Sequence, residues 1–364
     1  MQNASAPSDL FEHVLGRLPP GLDLDALATE TMAIERRREI TSGGDLLRLA
    51  LARGPGRMSL SQTAAWAGLI GLGALSGPGL KVRLEKATAF LDRIVTSLLA
   101  VKDSIPVHWP GRFLSAADGS SISQIGSHGT DWRVHGVFDL GRGGFSHLAL
   151  TDRYGAESMA RGPVIDGEIR IGDRNYARAG MLQELCQRCD RTVDFIVRTS
   201  WRAFSLTTLS GVTFNLIDCL TALPDDTVPH EVCVLAKTGR LTPPLPLRLV
   251  IQRKPPNAAE AARRKLPRQT QRKQKKLDPR TVVAAGFIIL ATSLSGARYP
   301  ADEVLAAYRL RWQIELAFKR LKSLLHIDQL PTRTERASRS WLLSHLVLAL
   351  LCDDATQDLL EFSP

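Results

Sequence analysis

From Asp23 to Leu99 apolar residues recur three and four positions apart with few β-branched runs, a spacing that predicts helices. Ser59–Gly68 reads as a capped short helix, Gly71–Pro78 as a turn, and the stretch with Lys81, Arg83 and Lys86 as a second helix. The pair has the layout of a helix-turn-helix, although any helical bundle contains such pairs. After Pro106 the period shortens. Arg112–Ala117 predicts a strand that delivers Asp118 and Gly119 into a turn. His135–Leu140 and Ser146–Thr151 predict two more strands, joined by Gly141–Gly144 as a hairpin turn. Glu168–Gly172 predicts a fourth strand ending at Asp173, Met181–Arg188 a helix, and Asp194–Arg198 a fifth strand. Short, proline-broken strands fill Trp201 to Pro279, and Val282–Ala291 reads as a strand buried on both faces. A long helix is expected from Ala301 to about His326, with Pro300 suited to its first turn and Asp302 and Glu303 at its positive end. A final helix, Trp341–Leu351, packs or dimerises.

These elements occupy 364 residues, 44% hydrophobic and 23% charged, a composition that excludes disordered, collagen-like and fibrous chains. The greasy stretches Ala64–Leu80 and Leu342–Leu351 are broken or short against the roughly 20 apolar residues of a membrane span. Met1–Pro20 lacks a basic and apolar leader pattern, so a cytoplasmic, nucleoid-associated protein with no membrane partner is expected. The five cysteines form no disulfide framework, and Cys186 and Cys189 are a lone CxxC without a second pair.

Charge changes the picture more. The net charge is +10, and Arg253–Arg280 holds eleven Lys and Arg against Glu260 and Asp278. Such a block is either a self-repelling linker or a loop that grips nucleic acid. Its DNA-binding candidates are Arg263, Arg264, Lys265, Arg272, Lys273, Lys275 and Lys276.

On the helix from Ala301, residues Tyr308, Arg311, Glu315 and Lys322 fall within a sector of roughly 60° at about 100° per residue. Read alone, this is an exposed face with Arg311 and Glu315 paired four residues apart. The Y-(2)-R-(3)-E-(6)-K pattern, however, resembles the signature of a large group of bacterial insertion-sequence transposases of the DDE class. Asp118-Gly119-Ser120-Ser121 is similar to that family's first acidic motif, and Gly172-Asp173-Arg174-Asn175-Tyr176 to its second. Trp132–His135 followed by Phe138–Leu140 resembles its second strand.

The resemblance spans about residues 55–350 and implies an α/β fold: a ribonuclease-H-like catalytic core, with a mixed sheet flanked by helices. A β-rich insertion interrupts that core, and an all-helical N-terminal DNA-binding domain precedes it. The expected organisation is a flexible N-terminus (1–20), helical domain (21–108), first core part (109–200), insertion with the basic run (201–281), last core strand and catalytic helix (282–333) and C-terminal helix (334–364). It implies Asp118, Asp173 and Glu315 as catalytic ligands of two Mg²⁺ ions, with Mn²⁺ able to substitute; hard cations of this kind take oxygen donors. Tyr308, Arg311 and Lys322, with Lys319 and Arg174, would contact DNA phosphates. The implied partners are double-stranded DNA, as terminal inverted repeats and target, and a second copy in a homodimeric synaptic complex. Asp139, Asp152, Asp166, Glu168 and Asp194 are rival carboxylates, and His135 reads as a strand residue rather than a ligand. Trp66 and Trp341 read as core anchors. The expected last core strand carries no Trp, leaving Phe287 to stack on a base, so base flipping is open. A catalytically inactive DNA-binding descendant and a nuclease without joining activity remain the alternatives.

Overall fold

The computed structural model describes residues 11–12, 14–100, 108–127, 129–188, 192–272, 274 and 276–361. Cys189, Lys273 and Lys275 lie outside the described residues. Five helices open the described chain: α1 (Leu24–Glu30), α2 (Gly43–Arg53), α3 (Leu60–Leu69), α4 (Gly77–Lys86) and α5 (Thr88–Ala100). Local chemistry starts them. Asp23, Ser42, Ser59 and Ser76 accept hydrogen bonds from first-turn amides, and Ser59 with Gln62 forms a full capping box. Residues expected to be flexible are partly tied down: Val14, Leu15 and Leu18 pack on the core, and the Phe11 ring lies 4.9 Å from the Arg48 guanidinium carbon.

The strands are β1 (Phe113–Gln124), β2 (Trp132–Asp139), β3 (Gly144–Asp152), β4 (Glu168–Gly172), β5 (Asp194–Arg198), β6 (Leu206–Thr207), β7 (His230–Ala236), β8 (Leu245–Arg253), β9 (Phe287–Thr292) and β10 (Gln329–Leu330). They form one sheet in the order β3-β2-β1-β4-β5-β9-β8-β7-β6, with β10 pairing β1. The meander β1-β2-β3 is antiparallel, β4 and β5 run parallel to β1, and β9, β8 and β7 alternate direction. The expected insertion therefore continues the sheet, because β9 pairs with both β5 and β8.

Helix α6 (Ala179–Cys186) joins β4 to β5, and α7 (Leu216–Ala222) lies between β6 and β7. Two expectations change beyond β8. The basic run is not a loop, because Pro256–Arg272 forms helix α8. Four alanines among its first seven residues, with Arg, Lys and Gln behind them, outweigh the charge repulsion and the interior Pro267. The apolar run expected as one strand divides into helix α9 (Pro279–Ala285) and β9. Asp278 caps α9 and Pro279 opens it, whereas an apolar run alone fits either element.

The expected long helix is also two: α10 (Ala301–Arg309) and α11 (Trp312–Leu325). Leu310, Arg311 and Gln313 donate backbone hydrogen bonds to Ala307, Tyr308 and Leu310, an i to i−3 pattern of the tight 3₁₀ turn. Ala301, Val304, Ala307 and Leu310 all pack on the core. The last helix, α12 (Glu335–Glu361), is longer than Trp341–Leu351 and packs against α5, α2, α4 and β3. One apolar cluster thereby runs from the N-terminal helices through α12 to the sheet face under α10 and α11. A second fills the opposite face, under α6 and α7.

Candidate active site

Backbone register brings the two aspartates together. Ala117 of β1 is level with Gly172 of β4, so Asp118 and Asp173 are the next residues on neighbouring parallel strands. Adjacent strands lie about 4.8 Å apart. β1 does not turn at Asp118 as expected; it continues to Gln124, held by β2, in which Gly136 sits opposite Asp118. Asp173 leaves β4 as expected and accepts from the Asn175 amide at 2.8 Å, capping the 3₁₀ turn Arg174–Tyr176. Asp118 accepts from the Gly119 amide at 2.8 Å.

Glu315 comes from the first turn of α11. This helix is seated on β1 and β2 through Ile314, Phe318 and Leu321, all buried. Phe318 meets Phe145 edge-on at 5.5 Å. The seat leaves a cleft of about 480 Å³ lined by Asp118, Gly119, Glu315, Lys319, Lys322 and Asp328. Glu315 faces it but accepts a hydrogen bond from Arg311 at 2.6 Å, with Arg311 only 16% exposed and Glu315 54%. The paired reading of this helix face is thus present, within the same cleft as Asp118.

Electrostatics marks Asp118 as the odd carboxylate. Burial pushes its pKa up to about 6, the Gly119 amide opposes that, Asp173 and Glu315 raise it further, and Arg311 pulls it down. Three all-oxygen side chains that repel one another are the chemistry a hard divalent cation relieves, so the donor set fits Mg²⁺ or Mn²⁺. Among the described residues no three acidic, His or Cys side chains are gathered closely enough to hold an ion. The Arg311 hydrogen bond is what occupies the Glu315 carboxylate. Arg311 also has a buried Nε without a hydrogen-bond partner, and burial raises the Tyr308 phenol above its ordinary range.

The rival acids are engaged elsewhere. Glu168 binds the buried Arg170 at 2.7 Å, Asp194 binds Arg112 at 2.5 Å, and Asp139 accepts from the Gly141 and Arg142 amides. Asp152 accepts from the Tyr154 amide and Asp166 from the Thr192 amide. His135 is a strand residue whose Nε2 lies 2.8 Å from the Thr151 hydroxyl, and burial lowers its pKa to about 4. Phe287 is buried in the cluster on the sheet's other face, under Arg253, so it cannot stack on a base from this cleft. Trp312, which the motif reading passed over although it adjoins Arg311, is an exposed aromatic on the helix that carries Glu315. On the basic helix Arg263, Arg264 and Lys265 are exposed, as is Lys276 beyond it. In the candidate helix-turn-helix the α4 cations are partnered: Lys86 with Glu35 at 2.6 Å, Arg83 with Glu39 at 3.7 Å and Lys81 with Glu85 at 3.9 Å. No described helix is long and apolar enough to cross a membrane.

Residues 101–352, which hold all three carboxylates, match the family described as Transposase DDE domain. InsL for insertion sequence element IS186A of Escherichia coli (strain K12) is 35% identical over 359 residues, covering 98% of this chain and 96% of that protein. The transposase for insertion sequence element IS421 of Escherichia coli is 35% identical over 360 residues, with the same coverage. Among solved structures, the piggyBac transposase synaptic complex with hairpin DNA aligns over 98% of this chain and 75% of that one, at a TM-score of 0.42 and 11% identity. With a family match across the carboxylate-bearing region and relatives aligned almost end to end, the chain belongs to the DDE transposases of insertion sequence elements.

Proposed function

We propose that this transposase works by cut-and-paste: it cleaves double-stranded DNA at terminal inverted repeats and joins the freed ends to target DNA, using Asp118, Asp173 and Glu315. The observation that carries this reading is the register that sets Asp118 beside Asp173, with Glu315 in the same cleft as Asp118. The sheet order 3-2-1-4-5, with an antiparallel meander and parallel β4 and β5, supports a ribonuclease-H-like core. The three carboxylates would hold two Mg²⁺ or Mn²⁺ ions, whose chemistry there would be to activate the attacking oxygen and stabilise the leaving one.

The chain's own residues do the rest. The interior of β1, the end of β4 and the first turn of α11 fix the carboxylates, and the tight turn before α11 lets Arg311 reach both Glu315 and a phosphate. A planar guanidinium suits that exchange, because its fork matches carboxylate and phosphate alike. Lys319 and Lys322 would line the path of the transposon end, and Tyr308 would border it. The helices from Asp23 to Ala100 would recognise the repeats, and a homodimer would pair the two ends. The engaged α4 cations mean that DNA must exchange with Glu35, Glu39 and Glu85 to be read there.

Glu315→Gln tests the reading, since it keeps size and hydrogen bonding but removes the charge. Binding to element ends without metal should survive, and Mn²⁺-dependent nicking and joining should fall by several orders of magnitude. Nicking at near wild-type rate would remove these residues from the chemistry. If the unaltered protein binds ends and never nicks, the inactive descendant is the correct reading; nicking without joining of pre-cleaved ends would mark a nuclease.

A further inference from the structure

The period-two alternation of strands sorts the residues at one sheet edge by face. Ala116, Ile171, Ile196, Leu290 and Val250 belong to the apolar cluster under α10 and α11, whereas Ala117, Val197 and Ile251 belong to the cluster on the other side. Counting on by two from the first set gives Asp118 on β1, Asp173 after β4, Arg198 on β5 and Lys254 after β8. All four therefore share one face. The register sets Asp118, Asp173 and Arg198 level with one another, and β8, which runs in the same direction, carries Lys254 four residues past that level. Two strand spacings, roughly 10 Å, separate Asp118 from Arg198. The β8–β9 pair continues past that level, where Lys254 donates from its Nζ to the Ala285 carbonyl at 2.7 Å. Arg263 of α8 reaches the same turn: its guanidinium nitrogen lies 3.0 Å from where a Cβ on Gly286 would stand.

These cations are crowded. Burial and then Arg198, Arg174 and Arg263 lower the Lys254 ammonium. Arg174, Arg198, Lys254 and Arg263 make no ion pair with an acid among the described residues, although the chain pairs Arg112, Arg170, Arg202, Arg248 and Arg280 with nearby carboxylates. Such a row is stabilised by an anion from outside, and its neighbour on the edge is the aspartate pair. Lys319 and Lys322 of α11 line the cleft that holds Asp118.

We infer that Arg198 and Lys254, with Arg174 and Arg263, form a second phosphate track that leads a DNA backbone along the β5–β8 edge into the carboxylate centre, opposite the α11 cations. This rests on the proposed site and adds which edge the strand crosses and that α8 faces it. Only the Lys254–Arg263 part of the basic run joins the track, so Arg264 and Lys265 add long-range attraction rather than fixed contacts.

The test is the salt dependence of binding of the full chain to a mixed-sequence DNA duplex without metal. Each lost phosphate contact lowers the slope of log K against log salt by about 0.9. Arg198→Gln and Lys254→Gln should each lower it by about that amount, and together by about twice that. Lys237→Gln, an exposed residue just past β7 at the opposite edge, should leave it unchanged. Arg263→Gln, on an exposed helix, serves if either strand-end variant fails to fold, and should also cost about 0.9. Slopes unchanged in these variants, or equally reduced by Lys237→Gln, overturn the track. The outcome is separable from the catalytic reading: unchanged slopes with Glu315→Gln inactive sink the track alone, and reduced slopes with Glu315→Gln still nicking sink the chemistry alone.

Discussion

Asp118 carries a cost that its site explains. Its carboxyl is held at about 6 by burial and by Asp173 and Glu315, so the native protein binds a proton there more tightly than the unfolded chain. Between about pH 4 and 6 the native state holds the extra proton, and stability contributed by this group falls as pH rises through that window. Above it the penalty is complete, and a two-unit shift is worth up to about 3 kcal/mol. Asp118→Asn should therefore raise the thermal midpoint of the metal-free protein at pH 8, with the gain shrinking towards zero at pH 4, while nicking is abolished. Melting curves of both proteins at the two pH values decide it. A variant less stable at pH 8 would mean that the charge is already compensated without metal.

At the scale of elements, the seat of α11 controls where Glu315 stands. Gly136 lies opposite Asp118, and a Cβ there would come within 2.8 Å of the Phe145 ring and 2.9 Å of Phe318. Phe318 is on α11, so Gly136→Ala should push that helix outward as well as overpack the core. Overpacking of this kind costs about 1–3 kcal/mol. Nicking should fall much further than DNA binding, and Phe318→Leu in the same chain should restore part of the nicking. Equal losses of binding and nicking would assign the effect to general unfolding. The strands that position the site were legible because alternating apolar residues and glycine turns mark them, and Asp173 was legible as a strand-end acid. The Arg311–Glu315 bond was legible from its spacing of four. Less legible were the 3₁₀ turn, which depends on which side chains reach the core, and the helix over Pro279–Ala285, since a short apolar run does not distinguish helix from strand. The track residues Arg198 and Lys254 lay in plain view of the period-two pattern, but only strand order brings β5 and β8 to one edge.

Across the whole molecule, three histidines share an environment that makes acid a general destabiliser. His135, His147 and His345 are each pushed down to about 4, chiefly by burial. Cations add to this: Arg161 and Arg133 at His135, and Arg170, Arg161 and Arg188 at His147. His345 sits where α12 joins the N-terminal helices to the sheet, its ring tilted 40° against Trp341 at 3.8 Å with Arg53 and His326 nearby. Its Nδ1 lies 2.8 Å from the Trp341 carbonyl, and the Trp341 and Leu325 backbones oppose the effect of burial on the ring. The unfolded chain binds protons on all three below about pH 6.5 while the native state does not, so native stability is lost as pH falls from 6.5 to 4. Asp118 acts in the opposite direction over part of this range, one group against three. The thermal midpoint should thus drop steeply between pH 7 and 4. His345→Gln should make the drop shallower, because a group that cannot take up the proton no longer penalises the native state. A pH dependence unchanged by His345→Gln would place the acid-sensitive contacts elsewhere, and a midpoint that holds steady down to pH 4 would mean that these imidazoles are open enough to accept protons without unfolding the helical junction.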